Sequence, residues 1–321
     1  MAVSTRLMEI PGGGIGRFVC QPDDVLWDID VYQSRYHLLA FPRSPVWIAF
    51  PGRAPVLADL TQVMLHRDGQ TYQRSRVTDG HGDDCRWIAL SDALARQIAA
   101  ELDPSAADAP AFTFAMPYAR VDIATFFAHR TALRRALALR DAVAAAEACY
   151  AIVRTVMATA VAARADDPAR AAGAGDRTAA TMPLHGRPAP RTSRGRAARG
   201  DLVAAARGVI ASAVAAGEPV GLEALARRLH TSPYHLTRAF REVTGAPMHR
   251  YLTDVRLRAG LDLLLDSDRE TPIADLAHRL GFASHAHFTT SFRALFAATP
   301  SQVRAAGKPR KILEAAAAPP L

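Results

Sequence analysis

The chain has 321 residues, 50% of them hydrophobic, and a formal net charge of +8. That length supports two domains with cores of their own, and the hydrophobic share excludes a wholly disordered chain. Three scattered cysteines, Cys20, Cys85 and Cys149, form no CxxC pair. They exclude a disulfide scaffold and, with a start unlike a secretory signal, point to a reducing cytoplasm.

Gly12-Gly13-Gly14 is followed by no helical pattern and reads as a flexible start. Residues from about 15 to 115 then read as β-rich. Candidate strands are Gly16–Cys20, Trp27–Tyr32, Tyr36–Phe41, Val46–Phe50, Val56–Leu60, Gln62–His66, Tyr72–Val77 and Cys85–Leu90. They are short and punctuated by Pro51-Gly52, Asp68-Gly69 and Asp79-Gly80, a rhythm expected of a small barrel or sandwich with tight turns. At Ser91 the period changes: Ser91 or Asp92 caps a helix, and Asp122–Ala163 predicts one or two more. Leu139, Val143, Ala146, Tyr150, Val153, Met157 and Val161 recur at spacings of three and four and mark one apolar face. That face can pack on the β-region or form a dimer seam. The stretch Ala142–Ala163 is apolar but mostly Ala and carries Glu147 and Arg154, which argues against a membrane span. Residues 164–200 lose periodicity and read as a flexible, Arg-rich linker.

Positive charge concentrates in the second half. Residues 1–163 hold 16 Arg against 17 acidic residues, residues 164–200 hold 8 Arg against 3 Asp, and residues 201–307 hold 12 Arg against 10 acidic residues. Such a bias is expected of a segment that meets a polyanion. Within it one pattern occurs twice, about 51 residues apart. The first copy is Leu225-Ala226-Arg227-Arg228-Leu229 followed by Ser232-Pro233-Tyr234-His235-Leu236-Thr237-Arg238-Ala239-Phe240-Arg241. The second is Leu276-Ala277-His278-Arg279-Leu280 followed by Ser284-His285-Ala286-His287-Phe288-Thr289-Thr290-Ser291-Phe292-Arg293.

Each copy predicts a helix-turn-helix, in which the first helix holds the second so that the latter lies in the major groove of DNA. Ser232 is expected as an N-cap, with Pro233 in the first turn, where a missing N–H costs nothing. Leu236 and Phe240 should pack on Leu225 and Leu229, as Phe288 and Phe292 should on Leu276 and Leu280. The opposite faces of the two predicted recognition helices, about 232–243 and 284–296, carry the candidate DNA contacts. These are Ser232, Tyr234, His235, Thr237, Arg238 and Arg241 in the first copy, and Ser284, His285, Ala286, Thr289, Thr290 and Arg293 in the second. Arg238 is the best base reader, since a guanidinium donates two bonds to guanine, whereas Arg241 and Arg293 suit phosphates. His235 and His287 adjoin the apolar face and are expected to pack there rather than reach a base. Met248–Leu265 predicts a long connecting helix whose Arg250, Arg256 and Arg258 can reach phosphate or simply face solvent.

Residues from about 202 to 306 resemble the DNA-binding domain of the AraC/XylS family of bacterial transcription regulators. The resemblance rests on Ser232-Pro233-Tyr234-His235-Leu236, Phe240-Arg241, Thr244-Gly245, Pro247, Tyr251-Leu252 and Arg256. In the second half it rests on Ile273-Ala274, Leu280-Gly281-Phe282, Phe288, Phe292-Arg293, Phe296, Pro300 and Arg304. Thr290 stands where Arg is common, Ala297 where Gly is usual and Val303 where Tyr is usual, so the first recognition helix should dominate readout. More weakly, the β-region resembles the cupin-like sensor domains found ahead of such domains, which bind a small molecule or dimerise. Trp27, Tyr36, Trp47 and Tyr72, with Trp87, are the aromatics available to line an effector pocket, although core packing competes for them.

The resemblance implies an α+β multidomain chain. A sensor or dimerisation domain over 1–163 has a small cupin-like β-barrel at about 15–115 and helices at about 120–163. The linker 164–200 leads to an all-α double helix-turn-helix domain over 201–307 and a disordered tail over 308–321. Double-stranded DNA is the implied partner, with a small-molecule effector, a second copy of the chain and, for an activator, RNA polymerase beside it. No cofactor, metal or catalytic residue is expected. A cupin-type metal enzyme would need converging imidazoles, yet His37, His66 and His81, near Asp83, Asp84 and Cys85, include no His-x-His pair. Cys85 reads as a buried strand thiol before it reads as a redox sensor. A non-specific architectural DNA binder is the remaining alternative.

Overall fold

The computed structural model describes residues 3–28, 32–78, 80, 82–104, 114, 116–166, 191–266 and 271–306. It opens on a hairpin of β1 (Val3–Ile10) and β2 (Gly13–Cys20). Gly12 makes the turn at φ +75°, and Gly13 continues the strand so close to its neighbour that a Cβ would stand 2.0 Å from the Ala89 carbonyl oxygen. The glycine run is therefore a turn and a close approach, not a flexible start. The segment expected as a strand from Trp27 is instead a 3-10 turn, Val25–Asp28, with β3 (Tyr32–Gln33) after it.

The remaining strands follow the expected rhythm with shifted ends: β4 (His37–Pro42), β5 (Val46–Ala49), β6 (Val56–Ala58), β7 (Gln62–His66), β8 (Thr71–Arg76), β9 (Asp83–Leu90) and β10 (Tyr118–Arg120). They form two antiparallel sheets, β1-β2-β9-β4-β7-β10 and β3-β8-β5-β6. Among the described residues no strand pairing joins the sheets, so the closed barrel expected from the sequence gives way to a two-sheet sandwich. Alternation along the strands explains it. Ile15, Ile88, Leu39 and Leu65 lie side by side in register, all buried, on one face of the larger sheet. Met64 and Ala40 on its other face meet Val46, Ile48 and Phe50 of the smaller sheet.

Helices α1 (Asp92–Leu102), α2 (Ile123–Leu139) and α3 (Ala142–Asp166) share a core with the Ile15–Leu65 row. Ser91 caps α1, as expected, accepting from the Leu94 amide at 3.2 Å. Arg140, left-handed at φ 55°, ends α2, and Asp141 caps α3 through the Ala144 amide at 2.9 Å. The break leaves the start of the expected face outside the core. The buried side of α3 is Ala145, Cys149, Ile152, Val156 and Ala160, with Val153 and Met157, while Leu139 and Val143 of the expected face are 60% and 67% exposed. Helix α3 is long and apolar enough to cross a membrane by length and composition. Its small residues are used here to approach the sheet and α2 closely.

Burial holds two histidines neutral, His66 in the sandwich and His129 on α2. His66 packs on Tyr72 and Phe50, and burial, with the Arg74 charge, pushes its pKa down to about 3. His129 stacks on Phe41 at 3.6 Å and is held well below the usual range by burial and by neighbouring Arg130. Both fold neutral but take up protons once unfolded at about pH 6.5. Their contribution is complete above that pH and is lost as pH falls toward the folded value, by roughly 1.4 kcal/mol per unit for each. Acid titration of the melting temperature should show the decline beginning near pH 6.5, and His66→Phe should flatten it.

The second half is helical: α4 (Arg191–Ala216), α5 (Leu222–Arg228), α6 (Pro233–Thr244), α7 (Met248–Asp266), α8 (Ile273–Arg279), α9 (His285–Phe296) and α10 (Pro300–Ala306). Helix α4 takes in residues 191–200, which the sequence reading placed in a structureless linker; the rest of that linker, from 167 to 190, and the tail lie outside the described residues. Helices α4–α6 form one lobe and α8–α10 another, with α7 between them.

Candidate nucleic-acid interface

Helices α6 and α9 are built alike, each from a Ser cap and an apolar stripe. Ser232 accepts from the His235 amide and Ser284 from the His287 amide, both at 3.1 Å. Leu236 and Phe240 in α6, and Phe288 and Phe292 in α9, are at most 1% exposed. They pack with Leu225, Leu276 and Leu280, which are buried, and with Leu229, which is partly so. Each such side chain contributes roughly 1.5–3 kcal/mol on burial, which is what holds the opposite faces outward. Helix α6 ends at Gly245 with φ +74°, and α9 ends at Ala297 with φ +55°. The unusual alanine thus occupies a left-handed position, at a cost of about 1–2 kcal/mol.

Most of the candidate contact residues are exposed on the two helices. Tyr234 is 74% exposed, and His235, Arg238 and Arg241 also face solvent on α6. On α9, His285, Ala286, Thr290 and Arg293 are exposed. His235 and His287 are both exposed rather than packed, because the buried stripe is complete without them; His287 only meets the Phe282 ring edge-on at 5.4 Å. The Thr237 hydroxyl donates to the Pro233 carbonyl at 2.9 Å. Thr289 lies 3.3 Å from the His285 ring nitrogen.

Arg238 is not idle in the DNA-free chain. Its Nε donates to Glu242 at 2.8 Å, and Arg199 approaches the same carboxylate at 3.4 Å. Only the four-residue spacing of Arg238 and Glu242 signalled this pair in the sequence. Beside α6 a cavity of about 550 Å³ is lined by Tyr234, Arg238, Arg241, Met248 and Leu252 among others.

Other assignments change. Arg258, expected to face phosphate or solvent, is buried and donates to the carbonyls of Leu60 at 3.2 Å and Val121 at 3.0 Å. Arg256 is half-buried against Gly281, and Arg250 stays exposed. The four candidate effector aromatics do not converge. Trp27 and Tyr72 pack into the sandwich core, Trp47 points to the opposite face of β5 from Val46 and Ile48, and Tyr36 is 45% exposed under Arg6. Burial pushes the Cys85 thiol up to about 11, so it is a protonated strand thiol and not a reactive thiolate.

Among the described residues no group of three or more His, Cys, Asp or Glu is arranged to hold a metal. Three of the candidate ligands have other partners: His37 meets Asp92 at 3.1 Å, Asp83 pairs with Arg74, and Asp84 takes two bonds from Arg17 at 2.9 and 2.8 Å. His81 lies outside the described residues.

The family model "Helix-turn-helix domain" matches residues 225–306, the stretch that holds both copies. This segment is an AraC-type helix-turn-helix domain. The chain is 38% identical over 86 residues to the HTH-type transcriptional regulator GlxA of Rhizobium meliloti (strain 1021), covering 27% of this chain and 26% of that one. It is 33% identical over 91 residues to the bifunctional transcriptional activator/DNA repair enzyme AdaA of Bacillus subtilis (strain 168), covering 28% and 42%. The match thus spans about a quarter to two fifths of these relatives' length. Among solved structures, the DNA-binding domain of AdpA, a global transcriptional factor, in complex with a target DNA is similar at 29% identity. That likeness covers 34% of this chain and 90% of the other, with a TM-score of 0.28.

Proposed function

We propose that this protein is a sequence-specific transcription regulator whose AraC-type domain places α6 and α9 in successive major grooves of double-stranded DNA. The observation that carries the reading is the pair of Ser-capped helices with buried aromatic stripes and exposed polar faces, borne on one connecting helix. Such helices read base edges with their N-terminal residues. The proposed organisation is a sensor domain over 1–163, a linker over 164–200, the DNA-binding domain over 201–307 and a tail over 308–321. Arg238 reads a base, Arg241 and Arg293 hold phosphates, and the first helix dominates readout because Thr290 stands where the family commonly has Arg. The two sheets and their helices form the part that receives a small-molecule signal in the cytoplasm. The exposed pair Leu139 and Val143 supports a second copy of the chain as a further partner, and RNA polymerase is the partner of an activating complex. The reading assigns the protein no catalytic residue, metal or cofactor.

A footprint on genomic DNA tests the reading: a regulator protects a short site upstream of a neighbouring gene, whereas an architectural binder protects broadly. Arg238→Ala should weaken specific binding roughly tenfold or more and relax choice at one base pair. Measured against a set of single-base variants of the site, equal weakening everywhere would mean that Arg238 touches phosphate.

A further inference from the structure

The two halves of the chain meet along one face of α7. Tyr251, Arg258, Asp262 and Asp266 recur at helical spacing, and every one of them bonds to the β-sandwich or its helices. Tyr251 donates to Asp59 at 2.7 Å, and Arg258 holds the Leu60 and Val121 carbonyls. Asp262 pairs with Arg130 at 2.8 Å, both buried. Asp266 pairs with Arg43 and lies 3.6 Å from Arg86. Val255, Leu261, Leu264 and Leu265 of α7 are buried in the apolar core beside these polar groups.

Each lobe is also gripped separately. In the first, Arg207 of α4 donates to Asp59 at 2.7 Å. In the second, Phe296 of α9 packs on Phe127 of α2, with ring centroids 5.6 Å apart. The sensor region therefore holds the first lobe, the connecting helix and the second lobe at once. It does so from a side that leaves Tyr234, Arg238, His285, Thr290 and Arg293 uncovered.

We propose that the sensor region braces the two lobes at a fixed spacing, and that Asp262 and Phe127 are positioning residues for binding DNA with two boxes. The inference rests on the two-groove reading above. Two linked binding modules gain from each other only when their separation matches the sites, and a brace that sets this separation in advance raises the second module's effective concentration. A docked sensor that left the lobes free, or covered their recognition faces, would do neither.

The test uses the full-length wild-type chain and a duplex selected by it from random DNA, together with duplexes in which either box is scrambled. The wild type is expected to bind the two-box duplex far more tightly than either single box and to lose affinity when one base pair is inserted between boxes. Phe127→Ala and Asp262→Asn should weaken two-box binding roughly tenfold, leave single-box binding unchanged and tolerate the insertion. Simple loss of folding would lower single-box binding as well, and Phe127→Ala removes no buried charge, so it stands if Asp262→Asn fails to fold. Variants that bind the two-box duplex as well as or better than the wild type, with the same spacing preference, overturn the brace while the two-groove reading stands. A wild type that does not distinguish one box from two overturns both.

Discussion

Phe292→Ala should unfold the second lobe ahead of the rest of the chain, at a cost of about 3–5 kcal/mol. Phe292 is 0% exposed and lies between Phe288 and Phe296, at centroid distances of 5.5 and 4.6 Å. Truncation removes a ring from a file of aromatics that runs from Phe282 through α9 to Phe127. The neighbouring rings cannot close the gap, since each is fixed by a further one. A convenient readout follows from composition: the three tryptophans, Trp27, Trp47 and Trp87, all lie in the sandwich. Far-ultraviolet dichroism should lose helical signal at lower denaturant in the variant, while tryptophan emission changes later. Coincident transitions at the wild-type midpoint would show that the aromatic file adds little.

Asp59→Ala should be about as damaging, near 3–5 kcal/mol, because it leaves a charge buried without its partner. The Asp59 carboxylate is 1% exposed and accepts from Arg207 and Tyr251 at 2.7 Å each and from the Thr61 hydroxyl at 2.6 Å. Burial alone would raise its pKa; the Arg207 charge, with the Thr61 and Tyr251 hydroxyls, outweighs that and holds it below the usual range. A depressed carboxylate stabilises the fold above its unfolded pKa of about 4 and loses that contribution as pH falls further. Denaturation of wild type and variant at neutral pH should therefore show the full difference, and the gap should narrow below about pH 4. Amide exchange should show α7 and the β6–β7 turn deprotected together. A loss under about 1 kcal/mol would mean that water replaces Asp59 at this junction.

The helix-turn-helix pair was legible because its signals are local. Ser232 and Ser284 lie three residues before the amides they cap, and the Leu and Phe stripes repeat at the helical period, so short-range spacing contains the whole argument. The strands were legible by alternation, though their closure into a barrel was not, since strand pairing depends on residues far apart. The expected apolar face is buried at Val153 and Met157 but exposed at Leu139 and Val143, because a left-handed Arg140 divides two helices there. His235 and His287 were expected to pack and do not, because Leu236, Phe240, Phe288 and Phe292 already fill the interface. The effector aromatics were chosen by type, and type does not say which face of a sheet a residue takes.

By itself, the sequence determined that two capped amphipathic helices would each present a polar face on an aromatic base, and which residues that face would carry. Tertiary structure alone decided where the arginines and aspartates of α7 would go. On the sequence Arg258 and Asp262 look solvated, as charges on a helix usually are; Asp254, one turn before Arg258, bonds it at 2.9 Å, but the partners that bury both come from outside the helix. Their partners lie far along the chain, 198 residues away for Arg258 and Leu60, and a charge leaves water only where folding delivers its counter-charge or carbonyl to the same place.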